Sequence, residues 1–537
     1  MKQSRERMIS DWRSRIRPAV WAAVFSCFAA GFLAHIFAFT NIIPNADGIS
    51  RVNDAQQMTI SGRWFLHYAT MWNGFVQAPA VIGFFSLLFL SLAAGLTADL
   101  LKIRNPVLGG LCGALMAAFP TIAYTFLYLF TASAYCFGIL LAVLAVWLIP
   151  RHRFGWVFAA PILACALGTY QAYLAVAASL SLICVLLYAL EGKHSGKEIF
   201  LTGLRYLACL ALSLLLYYGL LRLFLWVKEL ELLNYKGIGS MTENLNPNRL
   251  LGLIGSAYRD FFQYYFVPHK AANYTTPVFA LGNGLLFLAG LWAFLRLFLW
   301  SQKGRKPGAV VLILVLCGLL PLACDLTVLM SDVMPVMRYA LVFPYVLALA
   351  LTDRAGALQE PKTKAPRRGR NLLSVAAVLA AALIWIVSFN IDNLAYTVST
   401  TAHRATQSFV TRLVERVEAT PGYSADMEVV VIGGFPSKSY YSTVEDFDLV
   451  TDYSNLPSSV IPLNKHVYYY LNDWLNVRWQ EPPEQIMIAV SNSEAFRAMP
   501  RYPSDGSIAI LEGRVVVKLA ERYTPKKDYE IAYENRR

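Results

Sequence analysis

Charge is what this sequence has least of. Only 15% of its 537 residues are Asp, Glu, Lys or Arg, while 57% are hydrophobic; a soluble protein carries roughly 25% charge. The deficit sits in long apolar runs between residues 18 and 389. Residues 393–537 have ordinary soluble composition and are numerous enough to bury a core of their own. Cysteine is missing from that C-terminal stretch. All eight (Cys27, Cys112, Cys136, Cys165, Cys184, Cys209, Cys317, Cys324) fall in or beside apolar runs, so no disulfide staples the C-terminal region, and no C-x-x-C pattern offers a metal site. No small-residue cleavage site follows the first apolar run, Pro18–Phe39, which at about 22 residues is too long for a signal h-region. It reads as a retained first span behind a basic N-terminus (Lys2, Arg5, Arg7, Arg13, Arg15, Arg17). The net charge of +13 does not point to nucleic acid, because Lys and Arg cluster beside the apolar runs as they do in cytoplasmic loops.

What is present is a series of about eleven runs near the 20 apolar residues that cross a bilayer: Pro18–Phe39, Ala78–Ala98, Pro106–Pro120, Ala132–Ile149, Trp156–Thr169, Tyr173–Leu190, Phe200–Trp226, Val278–Trp300, Ala309–Leu329, Tyr339–Leu351 and Leu372–Phe389. The fold class is therefore a polytopic α-helical membrane protein, with a body over residues 1–392 and a small C-terminal α/β domain over 393–537. With the N-terminus cytoplasmic, the inner loops hold Lys102 and Arg104; Arg151 and Arg153; Lys193 and Lys197; Lys303, Arg305 and Lys306; and Arg354 through Arg370. This positive-inside pattern places the C-terminal domain on the extracytoplasmic side of a plasma membrane. The outer loops 40–77 and 227–277 are the long ones, so the chain spends its polar residues outside.

In the C-terminal region the pattern predicts a helix over Asn393–Ala419 and a strand over Met427–Ile432 ending in Gly433-Gly434, read as a tight turn or a phosphate cradle. Helices follow near Val467–Leu475 and Ser493–Met499. Ile486–Val490 reads as a buried strand and Ser507–Leu519 as a hairpin.

The densest polar constellation is Asn45-Ala46-Asp47-Gly48-Ile49-Ser50-Arg51-Val52-Asn53-Asp54, followed by Ser61-Gly62-Arg63-Trp64. A helix from about Gly48 puts Asp47, Arg51 and Asp54 on one face, with Ile49, Val52 and Ile60 along the membrane surface. Two carboxylates beside a guanidinium suit transfer from a phosphate: a carboxylate takes the acceptor's proton, and Arg51, Arg63 or an arginine of another loop holds the leaving phosphate. The plainer alternative makes Asp47 a helix cap and Arg51–Asp54 a solvated pair.

Pro44–Asp54 with Gly62-Arg63-Trp64 after a first span resembles the GtrII-type glucosyltransferases. Phe119-Pro120 ending the third span, Tyr170-Gln171-Ala172-Tyr173 opening the sixth, and Ser507–Leu519 are similar as well. The resemblance implies a GT-C-class glycosyltransferase: an inverting transfer of a sugar, with glucose expected, from a polyprenyl-phosphate donor to a surface glycan or lipid-linked acceptor, on the outer face of a bacterial inner membrane. Its implied partners include a flippase and a donor-synthesising glycosyltransferase. Asp47 carries over as the catalytic carboxylate. Many members have paired aspartates where this chain has Asp47-Gly48, which leaves Asp54 as the second candidate. No inner loop is large enough for a nucleotide-binding domain, which also favours a lipid-borne donor.

Further candidates are Arg338 and Arg222 for the donor phosphate, with snorkelling to the interface as the alternative for each. Tyr170, Gln171, Tyr235 and Lys236 are candidates for sugar or acceptor, against aromatic-belt packing or an ordinary turn. Asp325 and Asp332, together with Asp47, suit a divalent cation, Mg or Mn, as a candidate cofactor. His67 and His269 lack partners at metal spacing and read as structural. A polysaccharide polymerase or ligase, a lipid-linked-sugar transporter and a membrane-anchored sensor are the rival readings.

Overall fold

The computed structural model describes residues 16–45, 47–49, 54–232, 247–267, 276–300, 307–329, 333–358, 368–435, 461 and 463–525. The described chain is mostly helical. Its first part runs α1 (Pro18–Thr40), α2 (Leu66–Thr70), α3 (Pro79–Leu100), α4 (Pro106–Ala117), α5 (Pro120–Leu127), α6 (Leu129–Leu148) and α7 (Gly155–Thr169). It continues through α8 (Tyr173–Leu190), α9 (Gly196–Val227), α10 (Pro247–Phe266), α11 (Pro277–Trp300), α12 (Pro307–Cys324), α13 (Phe343–Gly356) and α14 (Arg368–Glu418). Proline opens α1, α3, α4, α5, α10, α11 and α12, where its missing N–H costs nothing and its fixed φ suits the first turn. A capping box starts α9: Ser195 Oγ accepts from Glu198 N, and Glu198 Oε2 accepts from Ser195 N.

Among the described residues, nine helices are long and apolar enough to cross a membrane. The expected spans at Trp156–Thr169 and Tyr339–Leu351 are shorter helices: α7 has 15 residues, and a 3₁₀ turn over Tyr339–Val342 leads into the 14 of α13. The third span does not end at Phe119-Pro120. Pro120 opens α5, and the apolar run continues to Leu127. Proline cannot donate to Met116 O, four residues back, and inside a membrane that carbonyl needs another donor. Tyr339 Oη supplies it at 3.0 Å, and His35 Nε2 stands 2.9 Å from the neighbouring Ala117 O. Gly109 and Gly113 let α4 lie directly on α1, since a Cβ at either would stand 2.4 or 2.1 Å from the carbonyls of Ala19 and Ala23. This small-xxx-small contact is a standard way for membrane helices to approach.

The loops that the sequence assigns to one side of the membrane do meet. Arg17 binds the Asp99 carboxylate at 2.7 Å, Arg151 pairs with the same carboxylate, and Trp147 Nε1 donates to it at 2.8 Å. Glu191 binds Lys102 at 3.4 Å and Arg354 at 3.6 Å. Asp353 caps the backbone N–H groups of Arg104 and Asn105, each at 2.9 Å.

The chain divides into two compact units. Unit one holds residues 1–40, 55–126 and 131–393; unit two holds 41–54, 127–130 and 394–537. Segments 41–54 and 127–130, which the sequence places with the membrane body, thus group with the C-terminal region. Unit two contains a three-stranded sheet in the order β1 (Val429–Ile432), β3 (Arg514–Lys518), β2 (Ile508–Leu511). β1 runs parallel to β3, with Val429 opposite Val515; β2 runs antiparallel, with Ile508 opposite Val517. The parallel pair requires a crossover, which carries α15 (Asn464–Trp474), α16 (Glu484–Asn492) and α17 (Glu494–Ala498). The central β3 is buried along Val515–Val517. It shares a core with Phe409, Val410, Leu413 and Val417 of α14, and with Ile49 from the segment 41–54.

Two expectations change here, and one choice between alternatives is decided. Ile486–Val490 is helical, because Met487 and Ser491 are the buried pair at i, i+4 while Ile488 is 40% exposed: the period is that of a helix. The predicted helix Asn393–Ala419 is the continuation of the last span, since nothing between Leu372 and Glu418 breaks α14. Gly433, at φ +107°, donates its N–H to Asn464 Oδ1 at 2.9 Å, so this glycine makes a turn tied to α15.

Candidate functional site

In unit one the sequence Ser61-Gly62-Arg63-Trp64 forms a tight loop. A 3₁₀ turn over Thr59–Ser61 ends at Gly62, whose φ of +80° only glycine adopts freely, and Met58 bridges to Arg63. The loop is held by two side chains. Gln171, on the turn between α7 and α8, donates from Nε2 to Ser61 O at 3.0 Å and to Tyr217 Oη at 3.1 Å. Tyr217, on α9, donates in turn to Gly62 O at 3.1 Å. A Cβ at Gly62 would stand 2.4 Å from Gln171 Nε2 and 2.6 Å from Tyr217 Oη, so any side chain there would displace the two groups that hold the loop, besides straining φ.

The next two residues point to different supports. The Arg63 guanidinium lies 4.9 Å over the Tyr170 ring, and Tyr170 stacks on Tyr135 with centroids 4.7 Å apart. Trp64 is buried, stacks on Phe224 at 5.4 Å and packs against Leu221 and Leu225. Its Nε1 has no hydrogen-bond partner among the described residues. Arg63, Tyr170 and Gln171, read separately from the sequence as phosphate and sugar contacts, thus stand in one cluster. A guanidinium resting on an aromatic face is fixed in direction, and its fork matches phosphate oxygens.

Arg338 belongs to a second cluster in unit one. It is 3% exposed, so it does not snorkel. Its guanidinium lies 3.6 Å from Asp260 of α10 and 3.6 Å from the fully buried Asp325. Two carboxylates flank that one cation. Buried Asp392, on α14, has no hydrogen-bond partner for either carboxylate oxygen among the described residues. Arg222 stands apart: it is exposed, and its guanidinium bonds to Tyr218 Oη at 2.8 and 2.6 Å and lies over that ring.

Asp47 and Asp54 are in unit two. The described part of the expected helix is a turn: Gly48 N and Ile49 N donate to Asn45 O, and Gly48 N also to Asn45 Oδ1 at 2.7 Å. Asn45, rather than Asp47, caps this turn. Asp47 is exposed and Asp54 half-buried. Ile49 does not lie along a membrane surface. It is fully buried in the unit-two core, and its carbonyl accepts from Trp474 Nε1 at 2.8 Å. Arg51, Tyr235, Lys236, His269 and Asp332 lie outside the described residues. His67 stands 2.6 Å from Ala55 O and stacks on Phe75. Among the described residues no group of three or more His, Cys, Asp or Glu side chains is arranged to hold a metal ion.

Sequence reasoning missed Tyr217, Asp260 and Asp392. Tyr217 is inside an apolar run, beside Tyr218, where a tyrosine gives no signal of its own. Asp260 sits on α10, an amphipathic helix within a stretch read as loop, and its repeating apolar face was the available clue. Asp392 falls just past the last predicted span.

No curated protein and no solved structure matches the chain. Residues 36–351 match the family described as Glucosyl transferase GtrII. That range holds the Arg63 cluster, the Arg338 cluster and both first-loop aspartates, but not residues 394–537. Because the match covers more than half of its length, the chain belongs to the GtrII glucosyl transferase family, and its apolar helices make it a membrane member of that family.

Proposed function

We propose that the protein transfers a glucosyl group from a polyprenyl-phosphate donor to a surface glycan or lipid-linked acceptor on the outer face of a bacterial inner membrane. The observation that carries this reading is the cluster of Arg63, Tyr170, Gln171 and Tyr217, in which a matched motif loop holds a guanidinium over an aromatic ring. Arg63 is assigned the donor phosphate, and Tyr170 and Gln171 the sugar side. The transfer is the inverting, GT-C-type displacement. The acceptor oxygen bonds to the sugar's anomeric carbon, the bond from that carbon to phosphate oxygen breaks, and polyprenyl phosphate leaves. The acceptor's proton goes to a carboxylate, for which Asp47 is proposed first and Asp54 second. The N-terminus is assigned to the cytoplasm and residues 394–537 to the extracytoplasmic side, in keeping with the cation-rich set of loops that meets around Asp99 and Glu191. A flippase and a donor-synthesising glycosyltransferase would supply the donor.

One observation favours a second reading, a lipid-linked-sugar transporter. Asp325, Arg338 and Asp392 are buried ionisable residues, and intramembrane ionisable residues often mark a transport path. Proteoliposomes loaded with labelled polyprenyl-phosphate glucose and a lipid-linked glycan fraction separate the two. Transfer by the wild type without net lipid movement is the expected result, with loss of transfer in Asp47→Asn. Lipid movement without transfer would replace the first reading by the second. Equal transfer by Asp47→Asn would move the base to Asp54 or elsewhere.

A further inference from the structure

A cavity of about 360 Å³ opens in unit one where α3, α8, α9 and α13 end or begin, well away in sequence from the Gly62–Trp64 loop. Four cations line it, Lys102, Arg151, Arg205 and Arg354, against one carboxylate, Glu191. Basic residues near a membrane surface are ordinary; four lining one concavity are less so. Three of them are already engaged. Arg151 pairs with Asp99 and rests 4.1 Å over the Trp147 ring. Lys102 and Arg354 share Glu191, and Arg354 also donates to Leu101 O at 3.1 Å. Burial raises the Glu191 carboxyl, but Lys102, His194 and Arg354 outweigh it and hold that group below its ordinary value, so it remains an anion balanced by its own partners. Arg205 is different. It lines the cavity with no ion pair or hydrogen bond among the described residues.

Arg205 stands on α9 with Thr202, three residues before it, which lines the same cavity. Leu201 and Leu204, which flank Arg205 on the helix surface, are 45% and 48% exposed. A cation surplus with a hydroxyl donor beside it suits a phosphate oxygen, and an exposed apolar surface at the same place suits hydrocarbon chains. Basic pockets between membrane helices take lipid head groups in this way. We propose that this cavity is a phosphate-binding site for the head group of an anionic membrane lipid, with Arg205 as its uncommitted cation and Thr202 as a hydroxyl donor. The site does not depend on the transferase reading, because none of its residues has a part in that chemistry.

The test is native mass spectrometry of the purified full chain with phosphatidic acid and, separately, phosphatidylcholine. The wild type is expected to retain phosphatidic acid preferentially. Arg205→Gln, at an exposed and unpartnered position, is expected to weaken that retention about tenfold, as loss of one charge-assisted hydrogen bond does. Lys197→Gln, an exposed α9 cation outside the cavity, is the control for diffuse surface attraction and is expected to change nothing. Equal retention of both lipids, no effect of Arg205→Gln, or an equal effect of Lys197→Gln would overturn the proposal. Inorganic phosphate distinguishes the source of the ligand. Failure to displace the lipid supports a head group held with its chains, whereas displacement overturns the lipid assignment in favour of free phosphate.

Discussion

The two compact units solve the burial problem in opposite directions. Unit one wears large hydrophobic side chains on its outside: Phe25, Leu215, Leu288, Leu314 and Leu379 are 61–71% exposed. Unit two hides them, with Val429–Ile432 and Val515–Val517 almost fully covered. The polar groups are inverted too. In unit one, the buried hydroxyls of Ser86, Ser179, Ser213 and Thr352 bond back into their own helices, to Ile82 O, Ala175 O, Cys209 O and Ala348 O, while the longer tyrosines, such as Tyr339 and Tyr265, reach across to other elements. In unit two, buried polar groups tie separate elements together: Asn464 joins α15 to both Val431 O and Gly433 N, and Lys518 reaches three carbonyls at the end of α17. Unit one is built for a solvent of hydrocarbon, where every backbone group must find its partner inside the protein. Unit two is built for water, where the core is assembled by packing strands and helices on one another.

The largest expected effect follows from Lys518. Its ammonium donates to the carbonyls of Phe496, Arg497 and Met499 at 3.2, 3.1 and 2.8 Å while the side chain is 2% exposed. Lys518→Met keeps the volume and strips the donors. Met499 N still serves Phe496 O, but the Arg497 and Met499 carbonyls lose their donor at about 1–3 kcal/mol each, so unit two should lose about 3 kcal/mol or more. Limited proteolysis of the full chain should then cut within residues 394–537 while unit one stays intact. An unchanged cleavage pattern would show that water reaches those carbonyls and that unit two is less closed than described.

A matched pair tests the outsides. Leu288 is 64% exposed midway along α11, and Ile488 is 40% exposed on α16. Leu288→Arg should cost about 2.5–3.5 kcal/mol of membrane insertion, seen as a fall in protein resisting alkaline extraction. Ile488→Arg should stay within about 0.5 kcal/mol. Equal tolerance of both would break the comparison, since it would mean that the exposed face of α11 meets water.

The sequence made this contrast easy to see and its details hard. Apolar run length located the membrane-length helices of unit one, because crossing a bilayer demands length, but passed over the amphipathic α10. It did not show that Pro120 interrupts a span rather than ending it: the repair comes from Tyr339, more than two hundred residues on. Arg63, Tyr170 and Gln171 were each legible as polar residues in loops, but their meeting was not, since Gln171 and Ser61 are 110 positions apart. Arg338 read equally well as a clamp or a snorkelling residue, and only the packing of Asp260 and Asp325 against it decides against snorkelling. In unit two the hairpin was plain from its turn residues, whereas Ile486–Val490 misled because five apolar-rich residues fit a strand and a short helix alike.

Within unit one, two glycines separate backbone strain from crowding. Gly62 and Gly74 both have left-handed φ, +80° and +63°, but only Gly62 has neighbours where a Cβ would go. Gly74→Ala should cost the left-handed penalty alone, about 1 kcal/mol. Gly62→Ala should cost about 1–2 kcal/mol more by pushing out Gln171 and Tyr217, and with the Arg63 loop displaced, sugar transfer should fall about tenfold or further. If the two variants unfold alike and transfer alike, the cluster around Gly62 is not a fixed site.

The smallest effect probes the polar inversion itself. Ser213 and Tyr468 are both buried hydroxyls donating to a backbone carbonyl, at 2.6 Å to Cys209 O and 3.0 Å to Val429 O. Tyr468 Oη also accepts from Val431 N at 2.8 Å, so it stands between two backbone groups of β1. Removing the serine hydroxyl leaves a carbonyl that the α9 helix ladder already serves, so Ser213→Ala should change stability by no more than about 0.5 kcal/mol. Removing the phenol strands an N–H that has no other partner on that side of the sheet, so Tyr468→Phe should cost about 1–2 kcal/mol. Thermal inactivation of the two full-length variants measures the difference. A costly serine and a free tyrosine would reverse the expectation, and would mean that the Ser213 hydroxyl matters to the membrane unit while the Tyr468 phenol does not hold β1 in the second.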